Sequence, residues 1–585
     1  MRPGHGRLAV MRYLALCTDY DGTIAHHGRL DEPTIAALEE LRASGRKLVL
    51  VTGRELDDLQ KVCDRLDLFE RVVAENGALI YRPATREERS LADSPPPRFV
   101  EELQKRGVQN ISVGRCIVAT WEPHEQAVLE TIRDLGLELQ VIFNKGAVMV
   151  LPGGVNKATG LKAALEEMNV SVHNCVGVGD AENDHAFLGI CECSAAVANA
   201  LPAVKGTADI ALTRDHGAGV AELIHEMLED DLAKRAPALR RHDILIGKDP
   251  QQQERMLPAY GISALVVGTS GGGKSTVANG FIERLRDKGY SFCVIDPEGD
   301  YDLVEGAAIL GSPERAPTVD ECMQLLSKPD QNAVFNLVGL KFSDRPAFFM
   351  TLLARVRDLR AKTGRPHWLI VDEVHHVLPA EWKPAELNLP QKLDGVVAVS
   401  VAPSAVSAAA VKLMDTVVII GDKPREMLRE FAATHDQPPP GIALDKIPKG
   451  EALLWNRGDA QSVHLVLEPS RTDHRRHVRK YAEGSLPEDR SFYFKGPEGK
   501  LNLRAQNLIV FTDLADGVDE DTWLYHWQRG DVSAWLRKCV KDDELTGQVA
   551  ALEHELPDDA AASRKSVREL IERHYTVPAE GTNPQ

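Results

Sequence analysis

The chain lacks most of the features that settle a protein's class at a glance. No apolar run approaches the roughly eighteen residues of a membrane span, and the first residues hold no signal-peptide core with a small-residue cleavage site. No membrane association is expected, and a cytoplasmic location is. Nine cysteines are scattered without a CxxC pair, and Cys191-Glu192-Cys193 has no second pair to complete a zinc site. Reduced, structural thiols follow. Basic residues are outnumbered, 69 Lys and Arg against 87 Asp and Glu, for a net charge of −18. That excludes a broadly basic surface for coating nucleic acid, though a local basic channel stays open.

What is there is length and ordinary globular composition. At 585 residues, with 43% hydrophobic and 27% charged side chains, the chain is expected to form about three or four soluble domains. Residues 1–10 read as a lead-in to the first strand.

Two stretches carry chemistry. In the first, the apolar strand Tyr13 to Cys17 runs into Asp19-Tyr20-Asp21-Gly22-Thr23. Two carboxylates two residues apart at a strand end can share one metal and one phosphoryl group: Asp19 as nucleophile on phosphorus, Asp21 as proton donor and later base. Lys47 to Val51 is a second buried strand, ending in Thr52-Gly53-Arg54, where the Thr52 hydroxyl can meet a phosphoryl oxygen. Asn156-Lys157 starts a helix, and Lys157 can neutralise nucleophile and transferring group together. A third strand delivers Gly179-Asp180-Ala181-Glu182-Asn183-Asp184, with Asp180 a metal ligand and Asn183 and Asp184 in or near its shell. Hard oxygen ligands favour Mg²⁺.

These stations together resemble the haloacid dehalogenase superfamily, and their wording is similar to its Cof-type phosphatases. The resemblance covers about residues 11–228 and implies a Rossmann-like core with an α+β cap at about 83–154, which sets substrate choice. It implies nucleophile Asp19, acid/base Asp21, phosphate-binding Thr52 and Lys157, and metal ligands Asp19, Asp21 through its carbonyl, and Asp180. The implied substrate is a small phosphorylated metabolite, such as a sugar phosphate or phosphoglycolate.

The second stretch follows a charged segment at 229–243, read as a linker with a solvated face. Ser263 to Val267 is a buried strand, then come Gly268, Thr269, Ser270, Gly271, Gly272, Gly273, Lys274, Ser275 and Thr276, then a helical pattern. This is a P-loop in its proper setting. The glycines turn backbone N–H groups around a phosphate, Lys274 meets the outer phosphates, and the Ser275 hydroxyl binds Mg²⁺. The strand Trp368 to Val371 closes on Asp372-Glu373, which can hold Mg²⁺ through water and polarise the attacking water. With Asp296-Pro297-Glu298-Gly299-Asp300-Tyr301, these residues resemble the HerA and FtsK class of ATPases over about 244–468. The resemblance implies a RecA-like fold, ATP as ligand or substrate, and a homo-oligomer, a hexamer in that class. It also implies an arginine from a neighbouring subunit, for which Arg345, Arg425 and Arg429 are candidates by type, though ordinary surface roles fit them better. No glutamine stands in the stretch Val396 to Ser404; Ser400 and Ser404 are the polar residues there. His375 and His376 read as packing or supporting residues.

Residues 469–585 read as a mostly helical module. Its basic run, residues 471–480, fits a charged helix better than a nucleic-acid contact, and Trp523 and Trp527 at i, i+4 spacing imply one buried helix face. The whole is an α/β multidomain chain, read as a Mg²⁺-dependent phosphatase fused to a P-loop ATPase that governs assembly or activity. Two alternatives stay open: a HerA-like DNA motor or defence ATPase with an accessory phosphatase, and a polynucleotide kinase/phosphatase. Glu373 speaks against the last, since a kinase must keep water from the γ-phosphate.

Overall fold

The computed structural model describes residues 11–575 except 145, 270–271, 303, 329–330, 383–388, 391, 443, 472–485, 487 and 541. The lead-in 1–10, Gly271 of the glycine loop and most of the basic run at 471–480 lie outside the described residues. Among the described residues no helix is long and apolar enough to cross a membrane.

The first unit contains strands β1 (Ala15–Thr18), β2 (Lys47–Val51), β3 (Arg71–Ala74), β4 (Leu79–Arg82), β5 (Glu87–Ser90), β6 (Ser112–Val113), β7 (Val118–Trp121), β8 (Leu139–Asn144), β9 (Ala147–Pro152), β10 (Cys175–Gly179), β11 (Cys193–Ala196) and β12 (Ile210–Ala211). Eight form one sheet in the order β12-β11-β10-β1-β2-β3-β4-β5. From β12 to β3 it is parallel, and β1 lies between β10 and β2. These central strands are buried on both faces, which is why they read as unbroken apolar runs rather than alternating ones. Helices flank them. The helix Glu32–Ala43 starts where Asp31 accepts from the Thr34 N–H at 2.9 Å, and Pro33 presets its first turn.

The other four strands form the cap sheet, in the order β6-β7-β9-β8. The helices Pro97–Lys105 and Glu125–Asp134 cover one of its faces, burying Phe99, Leu103 and Val128 against Val118, Val148 and Val150. Strand β5, inside the span expected for the cap, instead completes the core sheet through a hairpin with β4.

The segment expected as a solvated linker is packed. Arg235 pairs with Glu226 at 2.7 Å, Arg241 donates to the Cys191 carbonyl at 2.5 Å, and Leu232 and Leu239 are buried in the first core. Its arginines fold it back onto the first unit, because satisfied carbonyl and carboxylate partners lie within reach there.

The second unit is an eleven-stranded sheet built from β13 (Ile244–Lys248), β14 (Glu254–Leu257), β15 (Ser263–Gly268), β16 (Phe292–Asp296), β17 (Ala307–Leu310), β18 (Asn332–Asn336), β19 (Trp368–Val371), β20 (Val396–Ser400), β21 (Thr416–Ile420), β22 (Glu451–Asn456) and β23 (Val463–Leu467). The order is β14-β13-β23-β22-β21-β15-β20-β19-β16-β18-β17, parallel from β21 to β17. Separate apolar cores fill its two faces.

The last unit pairs β24 (Phe492–Phe494) with β25 (Leu503–Ala505) under five helices between Leu508 and Tyr575. Trp523 and Trp527 are fully buried and stacked, with centroids 5.4 Å apart. Their indole N–H groups are satisfied by the Ser563 hydroxyl and the Leu556 carbonyl, both at 2.9 Å. The expected buried face is what they form.

Candidate active site

Adjacent parallel strands deliver the acidic stations to one edge. Asp19 follows β1, Thr52 follows β2 and Asp180 follows β10, all at carboxyl ends, where open α/β sheets bind ligands. Lys157 comes from the first turn of the helix Lys157–Glu167, whose start Asn156 secures through a reciprocal cap with Thr159. That helix approaches very closely: a Cβ at Gly77 would lie 1.9 Å from the Asn156 carbonyl oxygen, and Gly77 has φ +102°. Only glycine fits there.

The result is a compact charge cluster. Lys157 Nζ donates to Asp19 Oδ1 at 2.6 Å and to Asp184 Oδ1 at 2.5 Å. The other Asp184 oxygen accepts the Asp180 and Ala181 N–H groups, both at 2.9 Å, and Thr23 Oγ1 donates to Asp180 at 3.1 Å. Asp19, Asp180, Asp184 and Lys157 are all buried. Burial pushes Asp19 up; Lys157 opposes this, and the charges of Asp184 and Asp180 add to it, giving a value of about 8. Burial alone would lower Lys157, but Asp184 and Asp19 more than reverse that, so its ammonium is secured.

Three buried carboxylates around one ammonium leave an excess of negative charge, and oxygens of Asp19, Asp180 and Asp184 lie within 4.8 Å of one another. A hard divalent cation such as Mg²⁺ fits that donor set.

The remaining expected residues stand around this cluster. Thr52 is buried beside it, its Oγ1 accepting the Arg54 N–H at 3.2 Å. Asn183, next to Asp184, donates its side-chain N–H to Asn76 Oδ1 at 3.1 Å, which joins two loops. The Asp21 carboxylate is engaged by Arg54, Nε to Oδ2 at 2.5 Å and Nη2 to Oδ1 at 2.8 Å. Arg54 is the partner that sequence reasoning missed, although the Thr-Gly-Arg string contained it. Glu75, buried under the cap, accepts the N–H groups of Arg115 at 2.9 Å and Cys116 at 2.7 Å and ties the cap to the core.

The second candidate centre lies between β15 and the helix Lys274–Asp287. Gly273, with φ +97°, is the last residue before that helix, and the Gly272 N–H donates to the Thr269 carbonyl at 3.0 Å. Lys274 folds back, donating to the Gly268 carbonyl at 3.1 Å, with Nζ 3.9 Å from Glu373 Oε1. Ser275 and Thr276 sit in the helix's first turn. Asp372, buried at the end of β19, accepts the Glu373 N–H at 3.1 Å. Glu373 itself has φ +38°, a left-handed backbone for a residue with a side chain, of the kind functional sites retain.

His375 Nδ1 lies 3.4 Å from Glu373 Oε2 and 3.3 Å from Ser400 Oγ. Burial, then the neighbouring His376, lowers His375 to about 4, so the ring is neutral near pH 7. The serine at the end of β20 and Glu373 thus approach the same histidine nitrogen. Asp296 is a turn brace, accepting the N–H groups of Gly299, Asp300 and Tyr301. Arg345 is buried at 3% exposure against the Leu340 carbonyl and His376, which corrects its reading as a surface arginine and removes it as a residue offered to a neighbouring subunit. Arg425 and Arg429 are exposed.

Between the two sheets lies a buried polar joint. His173 Nδ1 is 2.8 Å from Glu192 Oε2, and its Nε2 is 2.9 Å from the Lys288 carbonyl. Tyr290 donates to Glu192 at 2.8 Å and stacks on His173 at 3.8 Å, and Arg12 pairs with Glu192 at 2.6 Å. Burial alone would raise Glu192, but the His173 hydrogen bond and the Arg12 charge hold it well below the usual carboxylate range. His173, Glu192 and His242 are close enough to hold a metal, yet the Arg12 guanidinium already supplies the cation. His367 is the opposite case: Nδ1 accepts the Ser291 N–H at 2.9 Å, Nε2 faces Asn174 Oδ1 at 3.3 Å, and burial holds the ring neutral.

Comparisons with known proteins bear on the first unit. Residues 16–119 and 100–224 match the haloacid dehalogenase-like hydrolase family. Phosphoglycolate phosphatase 2 of Saccharolobus solfataricus is 28% identical over 229 residues, covering 38% of this chain and 95% of that protein. The phosphoglycolate phosphatase of Haloarcula marismortui is 30% identical over 218 residues, covering 36% and 95% respectively. A solved haloacid dehalogenase-like hydrolase from Bacteroides thetaiotaomicron is 18% identical, with a TM-score of 0.33 over 37% of this chain and 100% of that one. Through its first unit, the chain belongs to the haloacid dehalogenase-like hydrolase family.

Proposed function

We propose that the first unit is a Mg²⁺-dependent phosphomonoester hydrolase working through an aspartyl phosphate. The observation that carries this is Lys157 held between Asp19 and Asp184 at the carboxyl edge of the parallel sheet. Asp19 keeps one oxygen on Lys157, which leaves the other to attack phosphorus. As that P–O bond forms, the ester P–O bond breaks and the leaving oxygen takes a proton from Asp21. Asp21 then removes a proton from water, which attacks the aspartyl phosphate, restoring Asp19 and releasing inorganic phosphate. Arg54 engages both Asp21 oxygens, so proton transfer requires it to release one of them. Thr52 and Lys157 hold the phosphoryl oxygens. Mg²⁺ on Asp19, Asp180 and the Asp21 carbonyl, with Asp184 nearby, would neutralise the phosphoryl charge. The relatives named as phosphoglycolate phosphatases support a small phosphorylated metabolite as substrate.

The second unit we read as an ATP-hydrolysing P-loop centre, with Lys274 on the outer phosphates, Ser275 and Asp372 on Mg²⁺, and Glu373 orienting the attacking water. Supporting it is the convergence of Lys274, Asp372 and Glu373 beside the glycine loop. Its role is to govern assembly or activity of the phosphatase.

The test is a two-assay comparison. Asp19→Asn is expected to abolish phosphate release from small phosphomonoesters while ATP turnover persists; loss of both activities together would contradict separable centres. If duplex or single-stranded DNA stimulates ATP turnover, the motor reading takes precedence.

A further inference from the structure

The cap face turned toward the catalytic loops can be identified residue by residue. Ser112 pairs across from Ala119, Ala119 from Met149, and Trp121 from Ala147, so these side chains share one face of the cap sheet. That face looks onto the site. Ser112 Oγ donates to Glu55, next to Arg54, at 2.9 Å. Asn76 Nδ2 lies 2.9 Å from Met149 Sδ, and Asn76 Oδ1 accepts from Asn183, next to Asp184, at 3.1 Å. Strand β8 packs against the turn Glu182–Asp184. The other face is sealed by the cap helices.

Trp121 stands two residues beyond Ala119, about 7 Å farther out along the strand. Its side chain is left 55% exposed on the site side. Across the β8–β9 turn, Gly146 brings no side chain against the indole: a Cβ there would be 3.9 Å from its Cε3. A large flat apolar surface therefore lies open on the cap face that Ser112 and Met149 turn toward the loops of Glu55 and Asn76, with small or apolar neighbours in Ala119, Ala147 and Met149.

Resting on the phosphomonoesterase reading, we propose that Trp121 is the platform for the leaving group, and that this chain prefers phosphate esters whose leaving group carries a flat aromatic ring. An indole face stacks on any such ring, in an aryl alcohol or a nucleoside alike. A carboxylate as small as that of phosphoglycolate gains nothing from it. The ring belongs to the departing alcohol, so the effect falls on binding of the ester and not on breakdown of the aspartyl phosphate.

The experiment uses the full chain with 1-naphthyl phosphate, a nucleoside 5′-monophosphate, and ring-free phosphoglycolate and glycerol phosphate. Trp121→Ala is expected to raise KM for the favoured ring-bearing ester about tenfold, with kcat and all ring-free esters within about twofold. Trp121→Phe should recover most of the loss. Whether naphthyl phosphate or the nucleotide is the ester affected assigns the aryl or the nucleoside source. An equal loss on ring-free esters, or no loss on either ring-bearing ester, overturns the platform while leaving the phosphatase standing. If the wild-type chain cleaves none of the four esters, the phosphatase reading itself falls, and the platform with it.

Discussion

The two candidate phosphate centres meet the same charge problem from opposite sides. In the first, three buried carboxylates surround one ammonium, with Lys157 fastened to Asp19 and Asp184 at 2.6 and 2.5 Å. In the second, a lysine rests against a backbone carbonyl at 3.1 Å and stands 3.9 Å from Glu373, beside a loop of glycines. One is assembled through side chains whose net charge suits a divalent cation. The other sets a lysine against the carbonyl of Gly268, at the start of the helix Lys274–Asp287. The lesson is that a rigid carboxylate cluster suits covalent chemistry, where the nucleophile must be placed, and a backbone cradle suits a nucleotide, whose phosphates must be wrapped.

If that contrast holds, mutations should tell the two centres apart. Asp19→Asn should lower phosphatase kcat by about 10⁴-fold or more, since the nucleophile acts as a unit with its partners, and leave ATP turnover unchanged; initial rates of phosphate release check both. Lys274→Ala should lower ATP turnover by roughly 10³-fold, and phosphatase kcat/KM or assembly state should change with it, as the governing role proposed for the second unit requires. Phosphatase activity and assembly both unchanged would contradict that role.

The joint between the sheets is the place where the two could be coupled. Glu192→Gln strands Arg12 and His173 in a buried setting, and should cost about 3 kcal/mol of stability, read from denaturant unfolding. The Asp21 and Arg54 pair tests the first centre alone: Arg54→Ala should lower phosphatase kcat about tenfold, because general acid–base work depends on where Asp21 is held. The smallest expected effect is in pH. His367 is held neutral by burial, with His242 lowered in the same way. The unfolded rings take up protons below about pH 6.5, and the folded ones do so only at lower pH. Stability should therefore be full above that pH and fall as pH drops through it, by at most about 1.4 kcal/mol per unit for each ring. His367→Gln should flatten a melting-temperature profile between pH 7.5 and 5.5.

Much of the first centre was legible because each of its parts sits at the end of a buried strand or the start of a capped helix, signals that are local. Lys157 and Asp19 are 138 positions apart, yet each announces itself in its own few residues. The partners that were not legible are long-range. Nothing around Arg54 says that it will clasp Asp21, and Glu192, set between two cysteines that suggested a failed zinc pair, became the hub of the joint only when packing brought Arg12, His173 and Tyr290 to it. The basic residues near 235 and 241 looked like a solvated linker, because composition cannot show that carbonyls at 188 and 191 lie in reach. The left-handed backbone of Glu373 and the approach of His375 to both Glu373 and Ser400 had no sequence signal either.

The central claim is that Asp19 is the nucleophile, and its most direct test is to trap the phosphoryl group. Full-length Asp21→Asn protein would be mixed with a ³²P-labelled aryl phosphate, whose leaving group needs little protonation, then quenched in acid and digested. Label should be found on the peptide bearing Asp19, released by hydroxylamine, and absent when Asp19→Asn is combined with Asp21→Asn. Continued phosphate release by Asp19→Asn with no label ever bound to the protein would contradict it.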